Sequence, residues 1–127
     1  MSGLLLDTHV LLWLLDDNPR LGARTRERIN ETAAVYVSAA STWELSIKAA
    51  IGKLTLPDDV GAAIDRSGLR DLPVTRAHTL QSTLTALPHK DPFDALLIAQ
   101  SKAEKLTFVT ADQKLLAAWP DAVDARL

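Results

Sequence analysis

Four acidic motifs are spread along the chain: Leu6-Asp7-Thr8, Trp43-Glu44-Leu45, Asp91-Pro92-Phe93-Asp94 and Thr110-Ala111-Asp112. Each reads as lying just after a strand and close to the start of a helix. In a parallel α/β sheet such turns gather at one edge, where ligands bind. Two carboxylates about 5 Å apart repel by roughly 3 kcal/mol at an effective dielectric near 20. Gathering three or four of them therefore calls for protonation or a cation. The donors on offer are oxygens and the chain has no cysteine, so the cation is a hard one, Mg²⁺ or Mn²⁺ rather than zinc. Such a site suits metal-assisted phosphodiester hydrolysis, in which the ion activates water and steadies charge on the phosphate.

Each acid also has a purely structural reading. Asp7 is suited to cap the helix that begins near Val10. Ser41-Thr42-Trp43-Glu44 spells a capping box, and Lys48, four residues on, is placed to pair with Glu44. Against the cap, Glu44 shares a helix face with Ile47, Ile51 and Leu54, where a carboxylate is costly unless compensated. Asp91 before Pro92 reads as an N-cap with proline at N1 and is assigned to structure. Asp94 then falls at N3 of an apolar helix, needs no capping role, and is favoured by the positive helix end. Asp112 is placed to cap residues 113–118, while Thr110 is either a turn residue or a hydroxyl that orients a carboxylate or water. The caps account for the acids singly but not for their occurring as a set.

Placing these acids requires strands and helices in alternation. Residues 4–6 predict a short buried strand, and 10–15 a helix that is apolar all round and is stopped by Asn18-Pro19. Residues 20–31 predict a polar helix with Arg24 and Arg28 on one face, and 35–37 a β-branched and aromatic strand. Helices follow at 39–51, closed by Gly52, and at 59–67, closed by Gly68. Residues 72–74 predict an edge strand weakened by Pro73, 75–87 a helix and 88–90 a loop. Residues 92–105 form a strong helical pattern, 107–109 a strand, 113–118 a short helix and 122–124 a last strand. No linker, repeat or low-complexity tract interrupts the series. The pattern predicts one α/β sandwich domain over residues 1–127 with a mostly parallel sheet.

At 127 residues, with 47% hydrophobic and 24% charged residues, the chain has the composition of an ordinary globular domain. The absence of cysteine excludes disulfides, thiolate zinc sites and cysteine nucleophiles and is compatible with a reducing cytoplasm. The start, Met-Ser-Gly-Leu-Leu-Leu-Asp, lacks the basic flank and apolar length of a signal peptide, and no run is long enough to span a bilayer. A net charge of −2 gives no global attraction to nucleic acid, so an RNA or DNA substrate needs a local basic patch or a metal.

Four segments resemble, in this order, the PIN-domain family, and most closely the VapC-type toxins of bacterial toxin–antitoxin pairs. They are Leu4-Leu5-Leu6-Asp7-Thr8-His9-Val10-Leu11-Leu12-Trp13, Val37-Ser38-Ala39-Ala40-Ser41-Thr42-Trp43-Glu44, Asp91-Pro92-Phe93-Asp94-Ala95-Leu96-Leu97-Ile98-Ala99-Gln100, and Phe108-Val109-Thr110-Ala111-Asp112. The set spans almost the whole chain; its specificity lies in the order, not in any one motif. The resemblance implies a three-layer α/β/α sandwich around about five strands and a Mg²⁺- or Mn²⁺-dependent endoribonuclease. It puts the family's catalytic, metal-holding quartet on Asp7, Glu44, Asp94 and Asp112, and its supporting hydroxyls on Thr8 and Thr110, with Asp91 behind them. His9 stands where many members have Ser or Asn and is read as a helix-start residue. The resemblance also implies a homodimer and a VapB-type antitoxin whose C-terminal segment occupies the active-site groove. Arg20, Arg24, Arg28, Lys48 and Lys90 are candidate contacts to RNA phosphates, each with a solvated surface charge as its plain alternative, and the apolar residues 11–15 are assigned to the core by default.

Other readings are less well matched. A haloacid-dehalogenase phosphatase needs a second Asp two residues after its nucleophile, and Asp7 is followed by Thr8-His9. A response-regulator receiver needs paired acids after the first strand and a phospho-accepting Asp after the third, and neither pattern is present. The glycine fingerprints of P-loop and dinucleotide folds are missing as well. A catalytically silent protein-binding module, in which the acids are only caps, is the non-enzymatic alternative.

Overall fold

Three leucines in a row are all buried only in a strand covered on both faces. That is where the computed structural model, which describes residues 3–81 and 91–127, places β1 (Leu4–Leu6). The other strands are β2 (Val35–Ser38), β3 (Arg70–Leu72), β4 (Thr107–Thr110) and β5 (Val123–Asp124). The helices among the described residues are α1 (Thr8–Leu15), α2 (Ala23–Glu31), α3 (Ala39–Ala50), α4 (Val60–Arg66), α5 (Arg76–Leu80), α6 (Pro92–Ala103) and α7 (Gln113–Ala118). One sheet runs β3-β2-β1-β4-β5, with every pair parallel.

Alternation along β1 divides the core in two. Leu5 packs with Ala40, Leu97, Ile98 and Phe108 on one side. Leu4 and Leu6 pack with Val10, Ile29, Val35 and Val109 on the other, and Val37 continues that face toward Leu11, Leu45 and Ile64. The result is the predicted three-layer α/β/α sandwich. The chain leaves β1 toward β2 and β3, then returns to the opposite side for β4 and β5. The crevice between β1 and β4 is thus the topological switch point, where open α/β sheets bind ligands.

Several boundaries differ from the sequence expectations. α2 starts at Ala23 rather than residue 20, because Gly22 is its N-cap. β3 covers Arg70–Leu72, two residues early, so Pro73 lies outside the ladder it would interrupt. α6 ends at Ala103, and Lys105 takes a positive φ of 56°. Within the predicted helix 75–87, α5 covers Arg76–Leu80, and residues 82–87 lie outside the described residues, as does the predicted loop 88–90. Gly52 and Gly68 do close α3 and α4 with positive φ, as expected.

Gly22 is required by a close approach. A Cβ there would lie 2.1 Å from the Leu127 carbonyl carbon. Gly22 has no side chain with which to cap α2; instead the Leu127 carbonyl oxygen accepts from the Arg24 and Thr25 amides at 2.9 and 3.2 Å. Gly61, inside α4, would put a Cβ no closer than 3.7 Å to Asp59 Oδ1. Gly22→Ala should therefore lower stability by about 1–3 kcal/mol, whereas Gly61→Ala should raise it by about 0.5–1 kcal/mol. Thermal melts of the two variants should move in opposite directions.

Candidate active site

The acids reach one cleft from different elements. Asp7 follows β1, extends the ladder by donating its amide to the Val109 carbonyl at 2.9 Å, and caps α1. Asp112 follows β4 and caps α7, its Oδ1 accepting from the Lys114 and Leu115 amides. Asp91 caps α6 through the Phe93 and Asp94 amides, with Pro92 at N1, as the sequence predicts. Asp94 lies in the first turn of α6. Among the described residues the element that precedes it is α5 rather than a strand, and residues 82–90 lie outside them. Asp7, Thr8, Glu44, Asp91, Asp94 and Asp112 all line a cleft of about 310 Å³, together with His9, Trp13, Lys48, Ala111 and Arg126.

Glu44 arrives by a different route from the one its capping-box sequence suggests. α3 begins at Ala39, with Ser38 as N-cap accepting from the Ala40 amide. Glu44 is consequently in the second turn and caps nothing. The stripe it shares with Ile47 and Ile51 is not buried along its length, since Ile51 is 61% exposed. Instead Ala40, Ser41, Glu44 and Leu45 are the buried positions of α3. Two partners compensate the buried carboxylate: Thr8 Oγ1 donates to Oε1 at 2.7 Å, and Lys48 Nζ pairs with Oε2 at 2.9 Å. The Ser41 and Thr8 hydroxyls are 3.1 Å apart, which adds Ser41 to the site.

Thr110 is the matching support on the other side. Fully buried, it donates from Oγ1 to Asp7 Oδ2 at 2.7 Å and accepts the Asp112 amide at 3.1 Å. The orienting role suggested by sequence is the one present. Asp7 Oδ1 accepts from the Thr8 amide at 2.7 Å, so both of its oxygens are fixed. α3 and α6 are tied above this floor by Trp43 and Phe93, the residues preceding Glu44 and Asp94, whose rings meet edge-to-face with centroids 5.7 Å apart. They are tied below it by Gln100, which accepts the Ser38 hydroxyl at 2.5 Å and donates to the Pro73 carbonyl.

This geometry is electrostatically loaded. Burial pushes the Asp7 carboxyl up; the Thr110 and Thr8 hydrogen bonds and the nearby His9 oppose the rise, and Glu44 adds to it. Asp94 is pushed up to about 8, by burial first and then by Asp7, Asp91, Asp112 and Glu44. As the side chains stand, no three acidic or histidine groups among the described residues are arranged to hold an ion. Hydrogen bonds and Lys48 hold Asp7 and Glu44 instead. The donor set is nevertheless that of a hard-cation site, with carboxylate oxygens from several elements and one acid pushed up by burial and by its acidic neighbours.

Of the cations considered from sequence, Lys48 is on the cleft and Lys90 lies outside the described residues. Arg24 and Arg28 line a separate recess beside Val123, Asp124 and Leu127, and Arg20 is exposed. Trp13, assigned by default to the core, is half-buried and forms part of the cleft wall. Sequence reasoning missed Arg126 altogether: it lies in an irregular C-terminal stretch, and its strongest partner, Asp124, is only two residues away.

A family model described as PIN domain matches residues 4–118. The solved structures that share the fold include two toxin–antitoxin assemblies. VapBC2 from Rickettsia felis, bound to a DNA fragment from its promoter, is 18% identical with a TM-score of 0.66, over 96% of each chain. A toxin–antitoxin complex from Klebsiella pneumoniae is 17% identical with a TM-score of 0.64, over 95% of this chain and 96% of that one. No curated protein matches the sequence. Among the described residues no helix is long and apolar enough to cross a membrane.

The raised Asp94 makes stability depend on pH. Below about pH 4 folded and unfolded chains both carry its proton; from there to about pH 8 the unfolded chain ionises first, so stability falls as pH rises, and the loss is complete above the folded value. Asp94 is only half-buried, so solvent screening reduces the effect to about 1–2 kcal/mol, or roughly 3–8 °C in Tm. In EDTA the protein should melt higher at pH 5.5 than at pH 8.5, and Asp94→Asn should flatten that difference.

Proposed function

This chain belongs to the PIN domain family, and on that premise we propose that it is a metal-dependent endoribonuclease, the toxin of a VapBC-type toxin–antitoxin pair. The observation that carries this reading is Asp94, a carboxyl held protonated to about pH 8 among Asp7, Asp91, Asp112 and Glu44. Such a group ionises at neutral pH when a cation joins it, and Asp7, Glu44, Asp94 and Asp112 are the residues that would hold Mg²⁺ or Mn²⁺. Once bound, the ion supplies an activated water and stabilises charge on the RNA phosphate.

The chain's own groups prepare the reaction. Thr110 and the Thr8 amide stop the Asp7 carboxylate from turning. Thr8 does the same for Glu44, and Lys48 balances its charge until the site is loaded. Asp91 fixes the first turn of α6 and so sets the depth of Asp94. Trp13 and Ala111 give the cleft apolar wall, which limits water around the acids and strengthens their electrostatics.

The partners that go with this reading are RNA as substrate, a second copy in a homodimer, and a VapB-type antitoxin laid over the cleft, in the cytoplasm. Support for the antitoxin comes from the two structural relatives, one a VapBC2 assembly and the other a toxin–antitoxin complex. A silent binding module is favoured by one observation, that Asp7, Asp91 and Asp112 all cap helices. Nothing in the cleft favours a phosphatase.

The test is cleavage of cellular RNA by the purified protein, with Mg²⁺ and with EDTA. Cleavage should require the metal, and Asp7→Asn, Glu44→Gln and Asp94→Asn should each reduce it by about 100-fold or more. Circular dichroism should show the fold retained, and Asp94→Asn should melt higher than the parent in EDTA at neutral pH. Wild-type cleavage by Asp94→Asn would refute the mechanism, and unchanged growth inhibition by all three variants would establish the silent module.

A further inference from the structure

We propose that Arg126 binds a backbone phosphate of the RNA at the acidic cleft, and that the C-terminal residues 123–127 form a strap whose role is to hold it there. This rests on the nuclease reading above.

The argument begins with charge. The cleft is lined by five carboxyl residues, Asp7, Glu44, Asp91, Asp94 and Asp112, and among the described lining residues Lys48 and Arg126 are the cations that carry charge at any neutral pH. A polyanion enters such a cleft only where a cation meets it, and the net charge of −2 supplies no general attraction. Lys48 is engaged, its Nζ 2.9 Å from Glu44 Oε2, and withdrawing it would leave a buried carboxylate unpaired.

Arg126 is arranged differently. Its Nε and Nη2 grip Asp124 Oδ1 and Oδ2 at 3.0 and 2.7 Å. This two-point grip holds the guanidinium plane and leaves Nη1 facing the Gln113 amide, whose oxygen becomes a neutral acceptor when that amide is turned over. A phosphate displaces a neutral amide far more readily than a carboxylate. The planar fork also suits two phosphate oxygens better than an ammonium group does. The side chain is 40% exposed and so within reach of a ligand in the cleft.

The backbone around Arg126 is clamped on both sides. The Ala125 amide donates to the Thr110 carbonyl at 2.9 Å, and the Gly22 amide donates to the Ala125 carbonyl at 2.9 Å. The Leu127 carbonyl is held by Arg24 and Thr25, and Thr25 Oγ1 donates to the Asp124 carbonyl at 3.3 Å. Ala125 is fully buried while Arg126 projects to the cleft. An arginine on an irregular stretch ordinarily loses much rotamer freedom on binding; here most of that freedom is gone beforehand. The residue that receives the Ala125 amide is Thr110, whose hydroxyl fixes Asp7, so the proposed phosphate contact and the acidic floor share one anchor.

The experiment measures binding of a short fluorescein-labelled single-stranded RNA by anisotropy across a salt series, in an Asp94→Asn background so that the probe stays intact. Arg126→Gln should weaken binding about 10-fold and reduce the slope of log Kd against log salt by about 0.7, the loss of one phosphate contact to a single strand. Arg126→Lys should restore the slope but not the full affinity. In the otherwise wild-type protein Arg126→Gln should raise KM with little change in kcat. Unaltered affinity and slope in Arg126→Gln, in a protein that cleaves RNA, would overturn this assignment alone. Weaker binding with an unchanged slope would also overturn it, because the residue would then be acting through the fold. A protein that neither binds nor cleaves the RNA would overturn the nuclease reading along with it.

Discussion

The hydroxyl of Thr110 is the joint on which the cleft hangs. It sits where β4 ends, fully buried, and makes its one donation to Asp7 while accepting the amide of Asp112. The same residue's carbonyl receives the C-terminal strap. One short polar side chain thus fixes the distance between the acids on either side of the β1–β4 crevice. A valine of similar volume would keep the packing and lose the joint. Asp7 would then keep only the Thr8 amide as a hydrogen-bond partner, at the cost of a buried carboxylate oxygen left without one.

Around this joint the acids are kept in place by structural duties that also conceal them. Asp7, Asp91 and Asp112 each hold a helix start, so their negative charge meets the positive end of a helix dipole and part of the repulsion is met locally. Glu44 has a lysine instead. Asp94 has four acidic neighbours, which together with burial push its carboxyl up to about 8. The cleft resembles a spring compressed by its own charge, and the raised carboxyls of Asp7 and Asp94 register the strain. On the proposed reading, function and stability pull in opposite directions at Asp94, as expected where a site is built before its ligand arrives.

Much of this was legible in the sequence, and the misreadings have specific physical causes. The strand and helix alternation was readable because β1, β2 and β4 are short apolar runs buried on both faces. The acids stood out by type and position, and all of them line one cleft. The capping box at Ser41 misled because Ser38, three residues earlier, is an equally good cap and won the competition, carrying Glu44 into the second turn. The edge strand slipped because proline punctuates a strand without saying on which side the ladder lies. Ser41 and Gln100 lay inside noticed segments, but their contacts to Thr8 and Ser38 come from residues far away in sequence, and Arg126 reaches the cleft only through the tertiary fold.

The bond between Thr110 and Asp7 joins residues 103 apart in the chain, and β1 finds its partner β4 only across the same span. Long-range parallel pairing is slow to form and cannot begin before both strands exist. Until then β1 has β2 alone as a partner strand, and Asp7 has neither Asp112 nor the strap beside it. The cleft between β1 and β4 is therefore complete only after the last quarter of the chain has emerged, so the acids of its two walls meet late in folding.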